Sequence, residues 1–312
     1  MIFCCGEALV DMLPRQLESG EDVFLPVSGG AIFNTAITLG RLGAPVSFVS
    51  GVSNDMFGQQ LIDTLEASNV DTSKCIRSDQ PTTLAFVKLT DGQASYSFVD
   101  ENSAGQMVDI ADLPTLPAET TALHFGAISL IPEPCGTAYE TLMQDYQDKA
   151  VISLDPNIRP SFIKNADKHR ARIQRMIGMS DIVKVSDEDL EWISPDATPD
   201  KAISAMLEDG GVKIVILTKG SDGITAFTKS DRIDLPAQKV DVVDTIGAGD
   251  SFNGGFLDGL NRQNLLSKSA LENASPQDIE PALTRAIRVA AVTVSRAGAN
   301  SPWASEIGNN EQ

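Results

Sequence analysis

Apolar residues along this chain fall into short continuous runs separated by stretches of helical spacing. Ile2–Val10, Val46–Val52, Ala122–Ile128, Val151–Asp155, Ile182–Val185 and Lys213–Thr218 read as strands. Ala31–Leu42, Met56–Ser68, a segment near Ala138–Gln147 and Lys168–Ile177 carry apolar residues at helical intervals. Continuous apolar strands alternating with helices predict a doubly wound, mostly parallel sheet covered on both faces. Ligands in such folds gather at the carboxyl ends of the strands. Two segments break the rhythm. Thr82–Thr90 and Ala94–Val99 are rich in β-branched and aromatic residues, and Asp91-Gly92 between them is a hairpin signal. With an extended piece from Met12 to Val27, they predict a small antiparallel β lid. The expected organisation is one α/β domain over 1–312 with lid segments 12–27 and 82–104 inserted in it. The same segments also suit a surface decoration or a homodimer interface.

Composition narrows the partners. The chain has 312 residues, 42% of them hydrophobic, enough for a sizeable core. Its 43 acidic and 24 basic residues leave a formal charge of -19, which repels nucleic acid and anionic membranes. A phosphate-bearing ligand then needs a locally positive pocket. The four cysteines, Cys4, Cys5, Cys75 and Cys135, form no C-x-x-C pair and read as free thiols in a reducing compartment. Cys4 and Cys5 are expected on opposite faces of a strand. His124 and His169 are the only histidines and lie far apart, against a zinc site or a Ser-His-Asp triad. No apolar run reaches the ~20 residues of a membrane span. The N-terminus has no basic n-region and places Glu7 and Asp11 in the first segment, so a cytoplasmic location is expected.

The densest chemistry lies at Asp244-Thr245-Ile246-Gly247-Ala248-Gly249-Asp250. Val240, Val242 and Val243 suggest a strand entering this turn, with a helix opening at Asp250. Unpaired N–H groups at a helix start gather negative charge, and small residues let a phosphate approach the backbone. A carboxylate at the same turn can accept a proton from an attacking hydroxyl. Ordinary N-capping explains an acidic residue there equally well. A second turn, Ser28-Gly29-Gly30-Ala31-Ile32-Phe33-Asn34-Thr35-Ala36, pairs glycines with an amide that both donates and accepts, which suits sugar hydroxyls. Asp11 closes the first apolar run, where a carboxylate can take two hydroxyl hydrogen bonds.

Together these two turns resemble the signatures of the ribokinase-type carbohydrate kinases: Gly-Gly-x-x-x-Asn-x-Ala at Gly29–Ala36 and Asp-Thr-x-Gly-Ala-Gly-Asp at Asp244–Asp250. The resemblance covers essentially the whole chain. It implies a ribokinase-like fold and ATP-dependent phosphorylation of a sugar's primary hydroxyl, with Mg2+ as cofactor and K+ as a candidate activating cation. Asp250 matches the catalytic base, and the amides of Gly247, Ala248 and Gly249 match the anion hole. Asp11, Gly29, Gly30 and Asn34 match sugar contacts, with Phe98 and Asn157 beside them. Leu217-Thr218-Lys219-Gly220-Ser221-Asp222-Gly223 resembles the nucleotide loop, giving Thr218, Lys219, Gly220 and Gly223. Lys184, Ser186 and Ala290 fall at other nucleotide positions. Asp155-Pro156-Asn157-Ile158-Arg159-Pro160 resembles an Asp-x-Asn-x-Arg element, in which Arg159 offers a planar fork to phosphate oxygens. The family's Asn-x-x-Glu, which organises metal-bound water, is replaced by Ser186-Asp187-Glu188-Asp189, so Asp189 or Glu188 inherits that role through water; Ser186 also reads as a helix cap.

Segments Tyr96–Ala104 and Phe125–Pro134 look most like those of bacterial fructokinases, pointing to fructose. Rival acceptors are 2-keto-3-deoxygluconate-type sugar acids, which want an extra cation, and nucleosides, for which Phe98 and Phe33 offer stacking. A non-catalytic sugar sensor is the rival from another class. A dinucleotide oxidoreductase fails, because no G-x-G-x-x-G follows the first strand.

Overall fold

A computed structural model describes residues 1–90, 93–208 and 210–308. The strands in chain order are β1 (Ile2–Cys5), β2 (Leu9–Gln16), β3 (Asp22–Gly29), β4 (Val46–Val49), β5 (Gly51–Ser53), β6 (Ile76–Ser78), β7 (Leu84–Thr90) and β8 (Gln93–Val99). They continue with β9 (Ala122–Gly126), β10 (Val151–Asp155), β11 (Ile182–Ser186), β12 (Ile214–Thr218), β13 (Ile224–Phe227) and β14 (Arg232–Leu235). The helices are α1 (Ala31–Leu42), α2 (Met56–Ala67), α3 (Cys135–Tyr146), α4 (Ala166–Ile177), α5 (Asp187–Ile193), α6 (Pro199–Glu208), α7 (Ala248–Arg262), α8 (Lys268–Glu272) and α9 (Pro276–Val294).

Eight strands form the main sheet in the order β14-β13-β12-β11-β10-β9-β1-β4. β4 through β12 pair in parallel, and only the β12-β13-β14 edge is antiparallel. Alternate residues of each parallel strand enter one of two cores. Ile2 and Cys4 face the α1–α7–α9 side, whereas Phe3 and Cys5 face the α3–α4–α6 side. Both faces are therefore apolar, as the unbroken runs require.

The first apolar run is not one strand. β1 stops at Cys5, Gly6 donates its last main-sheet bond to Val49 O at 3.1 Å, and the chain leaves for a second sheet at Leu9. A Cβ on Gly6 would stand 2.5 Å from Ile32, so α1 crosses where the chain turns away. The second sheet runs β3-β2-β7-β8. Its outer pairs are antiparallel, while β2 and β7 at its centre run parallel through Val10↔Leu84 to Met12↔Phe86. The expected turn residues Asp91 and Gly92 lie outside the described residues. The Val46–Val52 run also divides, with β5 pairing only with β6.

No strand forms at Val240–Val243. Val242 and Val243 are exposed, and the Val243 amide bonds to Val294 O at the end of α9 instead. α7 opens at Ala248, two residues before the expected start, with Gly247 at its N-cap in the left-handed region (φ 75°). A Cβ on Gly247 would meet Ala299 at 2.5 Å, so both conformation and contact require glycine. Further along α7, a Cβ on Gly254 would lie 2.6 Å from Thr38, and one on Gly259 2.7 Å from the Cα of Ala282. These glycines let α7 lie tightly between α1 and α9, which sets the position of its N-terminus over the sheet.

Candidate active site

The N-termini of α1 and α7 meet at the carboxyl edge of the main sheet. Asn34 Nδ2 donates to Asp250 Oδ2 at 2.9 Å, and Thr35 Oγ1 donates to Asp250 O at 3.1 Å. Two turns 215 to 216 residues apart in sequence are thus joined by two hydrogen bonds. Asp250 is 9% exposed. Burial pushes its carboxyl up to about 7; the Asn34 amide opposes the rise, Asp155 adds to it, and Lys184 and Arg159 pull it down. No side chain caps α7, and of the expected anion-hole amides that of Ala248 donates to Thr245 O at 3.3 Å.

α1 begins with the same difficulty and solves it differently. Gly30 (φ 113°) offers no capping side chain. Glu7, in the link between β1 and β2, supplies one from outside the helix: its Oε1 accepts from the Ala31 amide at 2.8 Å and from Ile32 at 3.4 Å. A Cβ on Gly30 would press on Glu7 O at 2.9 Å. Burial pushes the Glu7 carboxyl up to about 7 despite these amides, and Asp250 adds to the rise. Sequence reasoning missed Glu7, because a capping residue 24 positions from its helix leaves no local pattern. Gly29 is explained by Asp11: a Cβ there would lie 2.6 Å from Asp11 Oδ2. Asp11 sits on β2 opposite Val27, and burial pushes its carboxyl up to about 6.

Behind the α7 turn, Lys184 lies buried in the middle of β11. Its ammonium bonds to Asp155 Oδ2 at 3.0 Å, and a Cβ on Gly249 would stand 3.0 Å from its Nζ. Burial works against the Lys184 charge, but Asp155, Asp189 and Asp250 outweigh it and raise its pKa above the ordinary lysine value. Arg159 is exposed at the end of the β10 loop, its Nη1 on Ile158 O at 3.0 Å and its charge within reach of Asp250. Asn157 holds the left-handed bend of that loop (φ 42°).

The remaining expected residues make the following contacts. Ser186 caps α5, accepting from the Asp189 amide at 3.1 Å. The Asp189 carboxylate accepts from the Ser186 amide at 2.9 Å and from Ile158 N at 2.7 Å, while Glu188 is exposed. Among the described residues no three carboxylate, histidine or cysteine side chains form a metal cage. Mg2+ needs none, since it keeps several waters and binds largely through nucleotide phosphates. Thr218 Oγ1 donates to Val185 O at 3.3 Å, and Lys219 Nζ to Thr225 Oγ1 at 2.9 Å on β13. Gly220 and Gly223 both sit in the left-handed region. Ala290 is half-buried on α9. Phe98 stands edge-on to Phe162, centroids 4.7 Å apart. Phe33 is in the core against Phe48, which removes it as a stacking surface. A cavity of about 1010 Å³ beneath β8 is lined by Glu7, Phe98, Gln106, Ser129 and Phe162 among others, and it reaches the site at Glu7.

A carboxylate at a helix N-terminus, an amide from a facing helix and a buried ammonium are a set of groups able to serve phosphate transfer onto a hydroxyl. The family model described as pfkB family carbohydrate kinase matches residues 1–306, and the chain belongs to that family. It is 53% identical over 277 residues to a fructokinase of Rhizobium leguminosarum bv. trifolii, covering 89% of this chain and 85% of that protein. Its fold is similar to the crystal structure of Xylella fastidiosa fructokinase with bound ATP, with a TM-score of 0.89, 29% identity and coverage of 98% and 96% of the two chains. The Vibrio cholerae fructokinase structure with fructose, ADP and calcium ion bound superposes with a TM-score of 0.83, 26% identity and coverage of 96% and 94%.

Proposed function

We propose that this carbohydrate kinase transfers the ATP γ-phosphate to a primary hydroxyl of fructose. The observation that carries the reading is the Asn34–Asp250 hydrogen bond, because it brings the sugar-type turn and the phosphate-type turn to one point. Identity of 53% to a fructokinase supports the choice of acceptor.

In this reading the sugar lies between Asp11, Gly29, Gly30, Asn34, Asn157 and Phe98. Asp250 accepts the hydroxyl proton as the oxygen attacks. A carboxyl held near 7 matches a base working at neutral pH more closely than a free aspartate does. The amides of Gly247, Ala248 and Gly249, with Arg159 and Lys184, oppose the charge gathering on the transferred group, an interaction typically worth ~3–4 kcal/mol. The nucleotide runs along Ser186, Thr218, Lys219, Gly220 and Gly223 toward Ala290. Mg2+, arriving with the nucleotide, supplies charge neutralisation on the phosphates; Glu188, and Asp189 where its lone pairs remain free, stand on the turn that would meet its waters. A monovalent cation would sit beside the Asp244 loop, whose carboxylate accepts from Ile246 N at 3.0 Å and Gly298 N at 2.9 Å. The β3-β2-β7-β8 sheet acts as the lid, excluding water from the transfer. Exposed Phe24, Leu25 and Val27 on it, with Leu17 in its β2–β3 link, support a homodimer through the lid. A cytoplasmic setting is supported by the four unpaired cysteines, three of them buried.

A coupled ADP-release screen with fructose, other ketoses, sugar acids and nucleosides tests the assignment. Release with fructose above all other acceptors sustains it. Release with a sugar acid or nucleoside instead replaces the acceptor, and silence on every acceptor overturns the kinase reading in favour of a sensor.

A further inference from the structure

Asp155 is the last residue of β10 and is 2% exposed. One of its oxygens, Oδ2, takes two donors: Lys184 Nζ from β11 at 3.0 Å and Asn253 Nδ2 from α7 at 2.7 Å. Its other oxygen, Oδ1, is buried without a partner. Asn253 lies one turn beyond Asp250 on α7, and the Lys184 ammonium stands against Gly249 at the same helix start. The three side chains come from three different elements and meet directly beneath the phosphate turn.

We propose that Asp155 is a positioning residue for phosphoryl transfer, its carboxylate fixing the Lys184 ammonium against the first turn of α7, where it meets the transferred group. The inference rests on the kinase reading and extends it to a residue that touches neither sugar nor nucleotide. A lysine ammonium ends a flexible four-carbon stem, so aiming it costs rotamer entropy unless a partner holds it. A buried charge also needs a counter-charge to remain ionised. Asp155 meets both needs, and through Asn253 it ties the helix that carries Asp250 to the same anchor. A buried ion pair alone is weak evidence of function. Here the ammonium is delivered to the one turn whose backbone must receive phosphate, which a purely structural pair has no reason to do.

The test compares wild type, Asp155→Asn, Lys184→Gln and the double variant by ADP release with fructose across pH, with thermal melting as a folding check. If Asp155 acts through Lys184, each single change lowers kcat on the order of 10²-fold, KM for ATP changes much less, and the double variant is no slower than Lys184→Gln. The acid limb of kcat/KM in Asp155→Asn also moves to lower pH. The groups facing Asp250 are Asn34 from α1, Lys184 from β11, Arg159 from the β10 loop, Glu7 from the β1–β2 link and Asp155 itself. Removing the Asp155 charge takes away one repulsion and leaves Lys184 unbalanced, and both effects favour the Asp250 carboxylate. Losses that multiply in the double variant, or a Lys184→Gln enzyme within twofold of wild type, overturn the proposal. If Asp155→Asn does not accumulate as folded protein, Asn253→Ala loosens the same anchor; its loss of kcat must vanish in the Lys184→Gln background, and a loss that persists there overturns the proposal. A wild-type protein silent on every acceptor instead sinks the kinase reading itself.

Discussion

Two carboxyls illustrate how burial remakes a residue. An aspartate in water is ionised well below neutrality, yet Asp250 is pushed up to about 7 because it is enclosed and faces Asp155. If it is the base, kcat/KM falls as pH drops below about 7, since the protonated acid cannot accept the hydroxyl proton; a pH profile with its acid limb near 4 would deny it that role. Asp250→Asn keeps the Asn34 contact feasible and is expected to lower kcat by roughly 10³-fold or more while leaving ATP affinity by calorimetry nearly unchanged. Glu7 is held near 7 by the same cause. Its pKa in the folded chain exceeds the unfolded value, so its contribution to stability is complete below about 4.5 and is lost as pH rises through about 7. Glu7→Gln should therefore flatten the fall in melting temperature between those limits; an unchanged slope would show that Glu7 does not carry it.

At the scale of the element, α7 decides the site. Its N-terminus has to reach the sheet edge, and its body has to fit between α1 and α9. Gly254, Gly255 and Gly259 make the fit; a Cβ on the last would lie 2.7 Å from the Ala282 Cα. Gly259→Val would force the helices apart, and overpacking of this kind costs about 1–3 kcal/mol. Chemical denaturation is expected to show a loss of that size, with turnover per folded molecule falling too as the Asp250 end of α7 shifts. A variant as stable as wild type would mean that the two helices are not locked. Glycines stand on both sides of Asp250, but only those up to Gly249 lie at the start of the helix. The rest are packing residues, a distinction invisible until α1 and α9 are in place.

Across the whole molecule, a main sheet with two apolar cores carries a small second sheet whose exposed apolar residues remain to be covered. If two copies pair through it, sedimentation velocity will report a dimer, and Leu25→Glu will shift it to monomer; a wild-type monomer at all concentrations would remove the pairing. The alternating runs and the two glycine-bearing turns were readable from the chain, because strand burial, helix spacing and backbone permissiveness are local properties of residue type. The switch of sheets at Gly6–Ala8 was not, since an apolar run looks the same whether it continues one strand or begins another. Nor were the Glu7 cap or the Asp155–Lys184–Asn253 anchor, whose members are 24 to 98 residues apart. What the amino-acid order determined alone is the kind of layers and the candidate chemistry. Which carboxylates are buried, what each one holds and how far its acidity moves were decided by tertiary packing, because desolvation and long-range contacts exist only once distant segments have met.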